Sequence, residues 1–120
     1  MARILVIDDD EVIAELLQSV LAEGGHLATA IPSLDREWPQ GVDLVITDLL
    51  LASPYTATDA GAWVSEVRRR VPGVPVIVCT AHRAAAADED CIAADAVVTK
   101  PFDLEVLLAL VHRFAPEAAA

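Results

Sequence analysis

The sequence ILVIDDDEV, residues 4–12, joins an apolar run directly to a cluster of acidic side chains. Its first half is rich in β-branched residues, which are typical of a buried strand. Three adjacent aspartates follow without the glycine, asparagine or serine of an ordinary turn. Because carboxylates at this spacing repel one another, their presence needs an explanation beyond chain reversal. The presence of Asp10 can be explained by helix capping, since its side chain can cap the helix that the following residues predict.

The composition is typical of one folded domain with a substantial core. The chain has 120 residues, of which 55% are hydrophobic, and its formal net charge is −11. Direct binding to nucleic acid or to an anionic membrane surface is disfavoured, because both need clustered lysine and arginine. The N-terminus has no signal-peptide pattern, and no apolar stretch approaches the ~20 residues of a membrane span. We expect a cytoplasmic protein whose two cysteines, Cys79 and Cys91, are reduced.

Short β-branched segments alternate along the chain with segments of helical periodicity. Five strands are predicted at 3–7, 26–31, 42–48, 74–80 and 96–99. Five helices are predicted at 11–25, 33–38 (only a turn or two), 60–70, 83–94 and 103–115. Strands that are apolar on both faces indicate a parallel sheet covered by helices on both sides, an α/β fold. We expect a single domain over 1–120, with its core in about 3–115 and a frayed tail at 116–120.

Polar side chains lie at the ends of four predicted strands. They are, in chain order, Asp8-Asp9, Asp48, Thr80 and Thr99-Lys100. Ligands of parallel α/β sheets bind outside the carboxyl ends of the strands, so these side chains are expected to share one edge. Each residue alone could be a helix cap, a loop residue or a solvated charge. Together they predict a site where carboxylates hold a hard cation and the cation holds a phosphate.

Four segments, VIDDD, VITD, VIVCTA and VVTKPF in this order, resemble the receiver domain of two-component response regulators. The similarity covers roughly residues 3–115. It implies a flavodoxin-like sheet of strand order 2-1-3-4-5 and a phosphorylation-dependent signalling switch of the bacterial cytoplasm. It implies no dedicated turnover enzyme, although such a domain assists its own phosphorylation and dephosphorylation. The phosphoryl donor would be a sensor histidine kinase or a histidine phosphotransfer protein.

The resemblance also implies the roles of individual residues. Asp48 would be the phosphoacceptor, Thr80 would donate its hydroxyl to a phosphoryl oxygen, and Lys100 would pair with another. Phosphoryl transfer depends on positioning and charge stabilisation, which a lysine and a metal ion supply. A cis peptide bond is implied between Lys100 and Pro101.

The metal implied by the resemblance is Mg²⁺, with Mn²⁺ as a substitute. Asp9 would bind it directly and Asp8 at least through water. Asp48 and the backbone carbonyl of Leu50 would complete the protein ligands. A bound cation removes the repulsion between these carboxylates, which accounts for the acidic run at the end of the first strand.

Three departures from the family pattern bear on switching. Val97 stands where an aromatic ring is usual, so coupling between that ring and Thr80 must differ here. Ala93 stands where a glycine often ends the preceding helix. The loop after Asp48 is longer than usual, and its segment SPYTATD, residues 53–59, is expected to overhang the acceptor. His82 is expected near the mouth of the site or in a solvated loop.

The last predicted helix carries Val106 and Leu110 at positions that are usually charged. We expect both to lie outside its core stripe, with Val97 of the fifth strand beside them; the alternative is that the pair adds to the core. The face built from the helix predicted at 83–94, the fifth strand and the last helix is therefore expected to bind a homodimer partner or another protein.

Other functions stay open. An interaction module that no longer uses phosphate fits the change at Val97 and the longer loop, while the intact Asp48, Thr80 and Lys100 argue against it. A Mg²⁺-dependent phosphohydrolase commonly carries a second aspartate two residues after its nucleophile, where this chain has Leu50. A nucleotide-binding fold is disfavoured, because no glycine-rich loop follows the first strand. The sequence leaves open the cognate kinase, and whether the chain stands alone or belongs to a longer regulator.

Overall fold

A computed structural model describes residues 2–52 and 54–115 of the chain. Within them, five strands form one parallel sheet of order β2-β1-β3-β4-β5, which confirms the predicted fold class. The strands are β1 (Arg3–Ile7), β2 (Leu27–Ile31), β3 (Leu44–Thr47), β4 (Val76–Thr80) and β5 (Ala96–Thr99). The tail predicted at 116–120 lies outside the described residues, as does Ser53 of the loop expected to overhang the acceptor.

The α-helices of the described chain are α1 (Glu11–Glu23), α2 (Ala57–Arg70), α3 (Glu89–Ile92) and α4 (Leu104–Phe114). Side-chain caps begin the three long ones. Asp10 accepts hydrogen bonds from the second and third backbone N–H groups of α1, and Asp103 caps α4 in a similar way. Thr56 caps α2, which therefore begins at Ala57 rather than at residue 60. None of these described helices has the length and apolar character that crossing a membrane requires.

Successive strand residues pack on opposite faces of the sheet. One face packs on α1 and α4; its buried residues include Ile4, Val6, Leu44, Ile46, Ile77, Cys79, Leu17, Leu21, Leu107 and Val111. The other face packs on α2; its buried residues include Leu5, Ile7, Val45, Val76, Val78, Ala60, Val64 and Val67. Both cysteines are free thiols, Cys79 in the core and Cys91 exposed. Because all five strands run in the same direction, the polar residues that follow them meet at one edge.

The prediction of a short helix at 33–38 is wrong, because the described chain forms turns there. Pro39 ends a segment that is too short to form a stable helix by itself. Leu34 and Trp38 instead pack directly against the α2 side of the sheet. The Trp38 indole donates to the Leu34 carbonyl at 3.0 Å, and the Arg70 guanidinium lies 5.2 Å from the Trp38 ring centroid. These contacts cover part of the sheet that a helix would otherwise bury.

The prediction of a single helix at 83–94 is also wrong. The structure has a 3₁₀ turn at Arg83–Ala86 followed by the four-residue α3. Only Ala85 and Ile92 of this segment are buried. Its other alanines offer little apolar area, so packing does not hold one continuous helix against the sheet in spite of their good helix propensity.

The apolar face predicted around the last helix is smaller than expected. Val106 is 52% exposed, but Leu110 is half-buried and packs against the core shared with α1. Leu110 follows the fully buried Leu107 by three residues and lies on the same side of the helix. Its placement outside the core stripe was therefore wrong. Val97 is half-buried against the opposite face of the sheet.

Replacing Ala93 by glycine is expected to raise the free energy of unfolding by about 0.5–1 kcal/mol. Ala93 ends α3 with φ of 61°, a left-handed conformation that glycine adopts more readily than alanine. Urea unfolding of wild type and Ala93→Gly measures the difference. Ala94→Gly is the matched control and should be destabilising, because φ of Ala94 is negative and glycine only adds unfolded-state entropy there. Equal destabilisation by both substitutions would contradict the prediction.

Stability is expected to fall as the pH drops below about 6.5 because of His26. Its Nδ1 accepts the backbone N–H of Ala2 at 3.2 Å, which a protonated ring cannot do. Partial burial and nearby positive charge, including His112, lower the pKa of His26 from 6.5. The unfolded chain therefore takes up a proton at higher pH than the folded chain, and acidification favours unfolding. Chemical unfolding on both sides of this pH should show a smaller decrease for His26→Gln than for wild type; an equal decrease would rule out His26 as a cause.

Candidate functional site

Three carboxylates converge at the carboxyl edge of the sheet. Asp8 and Asp9 follow β1, and Asp48 follows the neighbouring strand β3. One oxygen from each lies within 4.8 Å of the others. Strand pairing produces this arrangement, since Ile7 is in register with the last residue of β3 and its carbonyl accepts the Asp48 N–H at 2.8 Å. The sequence prediction that these side chains share one edge agrees with this geometry.

Lys100 bridges two of the three carboxylates. Its Nζ donates to Oδ2 of Asp8 at 2.8 Å and to Oδ2 of Asp48 at 3.1 Å. Its backbone N–H donates to the Thr80 carbonyl at 2.7 Å, which ties the end of β5 to the end of β4. The Lys100-Pro101 bond is cis, as the resemblance implied. Burial disfavours the ammonium, but hydrogen bonding to Asp8 and the charge of Asp48 outweigh it and raise the pKa of Lys100.

The second oxygens of the two bridged carboxylates are held by the backbone. Oδ1 of Asp8 accepts the Asp10 N–H at 2.9 Å, and Oδ1 of Asp48 accepts the Leu49 N–H at 2.7 Å. Burial nevertheless raises the pKa of Asp48, because it outweighs the nearby lysine. Asp9 is exposed. A second cation at this edge would therefore favour the ionised form of Asp48.

The donor set fits Mg²⁺. This ion prefers oxygen ligands, keeps several waters and binds through one or two carboxylates together with phosphate oxygens. At bond lengths of about 2.1 Å, opposite ligands lie about 4 Å apart. The three carboxylate oxygens, within 4.8 Å of one another, can share one ion after small side-chain rotations. Leu50 follows Asp48 by two residues and is half-buried; its carbonyl remains a predicted ligand.

Thr80 ends β4, on the side of β3 away from β1. Its side chain is fully buried. The backbone N–H of His82 donates to its Oγ1 at 3.1 Å, which fixes the oxygen and leaves the hydroxyl proton available for donation. Thr80 therefore ends the strand next to β3, and Lys100 directly follows the strand beyond it.

The loop between β3 and α2 makes a contact that the sequence did not predict. The Tyr55 ring stacks on the His82 ring, with centroids 5.5 Å apart and planes inclined by 27°. Its hydroxyl donates to an Asp88 carboxylate oxygen at 2.8 Å. Burial and this carboxylate raise the pKa of Tyr55 to about 12, so the phenol stays protonated. The signals that could have suggested the contact were an aromatic residue in a lengthened loop and the absence of a ring at Val97.

Trp63 of α2 makes a hydrogen bond to the end of β3. Its indole N–H donates to Oγ1 of Thr47 at 2.9 Å, and the Thr47 hydroxyl donates to the Asp48 carbonyl at 2.7 Å. Thr47 is fully buried. The two hydrogen bonds connect α2 to the backbone of the candidate acceptor and restrain the start of the loop that contains Leu50.

Comparison with known families agrees with this geometry. The model of the response regulator receiver domain matches residues 4–112. The chain belongs to this family. Receiver domains are signalling domains of two-component systems; they generally bind Mg²⁺ in an acidic pocket and are phosphorylated by histidine kinases. In this receiver domain, Asp8, Asp9 and Asp48 form an acidic cluster.

Similar curated proteins are longer than this receiver domain. The response regulator protein FleR of Pseudomonas aeruginosa is 32% identical over 121 residues, which cover 95% of this chain and 24% of FleR. The sensory transduction protein RegX3 of Mycolicibacterium smegmatis is 33% identical over 119 residues, covering 93% of this chain and 50% of RegX3. The chain therefore spans about a quarter to a half of the length of these relatives.

Solved structures share the fold. The response regulator TrrA of Thermotoga maritima, in complex with Mg²⁺ and BeF, is 30% identical with a TM-score of 0.74, covering 95% of this chain and 99% of that chain. The non-phosphorylated HemR receiver domain of Leptospira biflexa has a TM-score of 0.74 at 21% identity, covering 100% and 98% of the two chains. At that lower identity the likeness to HemR shows the fold alone.

Proposed function

We propose that this receiver domain is a phosphorylation-dependent switch that accepts a phosphoryl group on Asp48 and uses Mg²⁺, or Mn²⁺ in its place. The supporting observation is the convergence of three carboxylates within 4.8 Å, two of them bridged by Lys100. A sensor histidine kinase or a histidine phosphotransfer protein would be the donor. The pathway would operate in a bacterial cytoplasm, and the similarity to response regulators of bacteria supports this part of the proposal.

The residues that would hold the metal are Asp9 directly, Asp8 at least through water, Asp48 and the carbonyl of Leu50. When bound, Mg²⁺ would offset the negative charge of the acceptor and of the incoming phosphoryl group. This electrostatic contribution addresses the main obstacle at the site, since an anionic donor must approach a cluster of carboxylates.

The chain's own groups would orient the transfer. A carboxylate oxygen of Asp48 forms a bond to phosphorus while the bond from phosphorus to the donor's imidazole nitrogen breaks. The ammonium of Lys100 can remain on Asp8 and pair with a phosphoryl oxygen in place of its 3.1 Å contact to Asp48. The hydroxyl of Thr80 would donate to another phosphoryl oxygen. These contacts stabilise the charge of the transferring group without a further catalytic base.

Phosphorylation would then change binding to an output partner, either a second copy of the chain or another protein. The side formed by the segment 83–94, β5 and α4 is the proposed surface. Among the described residues of this surface, Val106 is the large apolar side chain that is mostly exposed. Because one such side chain buries little apolar area, the contact would be weaker than the sequence suggested.

The experiment is Mg²⁺-dependent labelling with acetyl phosphate, followed by intact-protein mass spectrometry. Wild type should gain one phosphoryl group, and Asp48→Ala should gain none. Asp10→Asn is the matched control: Asp10 belongs to the same acidic run but caps α1, so labelling should persist. Labelling of Asp48→Ala would refute the acceptor assignment.

An interaction module that does not use phosphate is the second candidate. The observation that favours it is the half-buried Val97 at a position where the family usually has an aromatic ring. It predicts no labelling of wild type under any metal condition. A phosphohydrolase predicts continuous release of inorganic phosphate by catalytic amounts of the protein, which the same reaction mixture would reveal.

A further inference from the structure

We propose that Tyr55 is a positioning residue for Thr80, an inference that rests on the proposed phosphoryl switch. A line of contacts leads from Asp88 through Tyr55 and His82 to the Thr80 hydroxyl. Through it, the loop after β3 supports the side chain that would bind a phosphoryl oxygen at the end of β4.

The first step is the placement of the Tyr55 ring. Its hydroxyl donates to Asp88 at 2.8 Å, and its face stacks on His82 with a centroid distance of 5.5 Å. All three residues are half-buried. Because both the hydroxyl and the ring face of Tyr55 are held, its side chain has little freedom to move and can restrain the His82 ring.

The second step is the dependence of Thr80 on His82. The bond at 3.1 Å comes from the His82 backbone N–H, so the position of this residue's backbone sets the position of Oγ1. Among the described residues, the Thr80 side chain makes this one hydrogen bond. A threonine hydroxyl that accepts one hydrogen bond keeps its proton for another acceptor, here a phosphoryl oxygen.

The third step concerns the contacts that His82 makes with the described residues. The 3₁₀ turn that follows it buries Ala85, and the backbone N–H of Ala85 donates to the His82 carbonyl at 3.1 Å. The ring usual at position 97 is absent, since Val97 is aliphatic. Tyr55 therefore supplies an aromatic contact to this segment from the opposite loop.

The test is the affinity for beryllofluoride with Mg²⁺, measured by calorimetry. A positioning contact worth one ordinary hydrogen bond corresponds to a change of about 2–10-fold. We expect Tyr55→Ala to weaken binding by about 5–10-fold, and Tyr55→Phe, which keeps the stack and loses the bond to Asp88, to weaken it by about 2–3-fold. Thr58→Ala is the control near the same loop, because Thr58 is exposed in the first turn of α2; the affinity of this variant should equal that of wild type.

A merely structural role is separated by repeating the substitution in a Thr80→Val background. If Tyr55 acts through Thr80, Tyr55→Ala should cause no further loss there. An equal loss in both backgrounds would overturn the proposal, and so would wild-type affinity of Tyr55→Ala. If Tyr55→Ala does not fold, Asp88→Ala replaces it in the same comparison of the two backgrounds, because this substitution removes the hydrogen-bond acceptor of the Tyr55 hydroxyl.

Failure of the proposed function has a different signature. In that case wild type binds the analogue no better than Asp48→Asn does. Wild-type binding that is lost in Asp48→Asn but unchanged in Tyr55→Ala refutes only the role of Tyr55.

Discussion

The Lys100→Met variant is expected to lose about 3 kcal/mol of folding free energy in metal-free buffer. The Lys100 ammonium is 2.8 Å from Asp8 and 3.1 Å from Asp48, and the three side chains are 13%, 3% and 14% exposed. Removing the ammonium leaves two buried carboxylates facing each other without a counterion. Urea unfolding in the presence of a chelator measures the loss.

Millimolar Mg²⁺ should restore part of the lost stability, because a divalent ion held by the same carboxylates replaces the missing charge. Arg69→Met is the control: its guanidinium pairs with Glu66 at 2.6 Å but is 71% exposed, so its loss should stay below about 1 kcal/mol. Equal losses for the two variants would show that the Lys100 bridge is no stronger than a surface ion pair.

The Asp9→Asn variant is expected to lose both stabilisation by Mg²⁺ and phosphoryl uptake. Asp9 is exposed, so the substitution should change metal-free stability little. A ligand at ten times its Kd stabilises a fold by about 1.4 kcal/mol, and wild type should show a shift of this order with Mg²⁺. Loss of the metal's charge stabilisation should slow phosphorylation by about 100-fold or more.

Thermal unfolding with increasing Mg²⁺ and a labelling time course measure the two effects. Asp10→Asn is the neighbouring control and should keep both responses, because Asp10 caps α1. A metal-dependent shift in Asp9→Asn equal to that of wild type would exclude Asp9 as a ligand.

The parts of the fold set by local sequence signals were predictable. The bounds of β1 are those predicted, because a β-branched run ends at a charged residue. Asp10 and Asp103 cap α1 and α4 as their side chains indicate. The strand ends also indicated which polar residues share an edge, since parallel strands bring their carboxyl ends together. The family resemblance supplied the roles of those residues.

The parts that depend on tertiary packing were not predictable from one sequence. The segment 83–94 has good helix propensity, yet it offers too little apolar area to remain one helix. The Tyr55–His82 stack joins two loops whose paths are set by the strands that carry them. Leu110 was assigned to the wrong side of α4 because the buried stripe of an apolar helix is difficult to locate from periodicity alone.

The most direct measurement is the position of the phosphoryl group after reaction with acetyl phosphate and Mg²⁺. Borohydride reduces an aspartyl phosphate to homoserine, so peptide mapping after reduction identifies the residue that carried it. We expect homoserine at position 48 of wild type, dependent on Mg²⁺ and absent from Asp9→Asn. Homoserine at another aspartate, or an unmodified Asp48 under conditions that phosphorylate the protein, would contradict it.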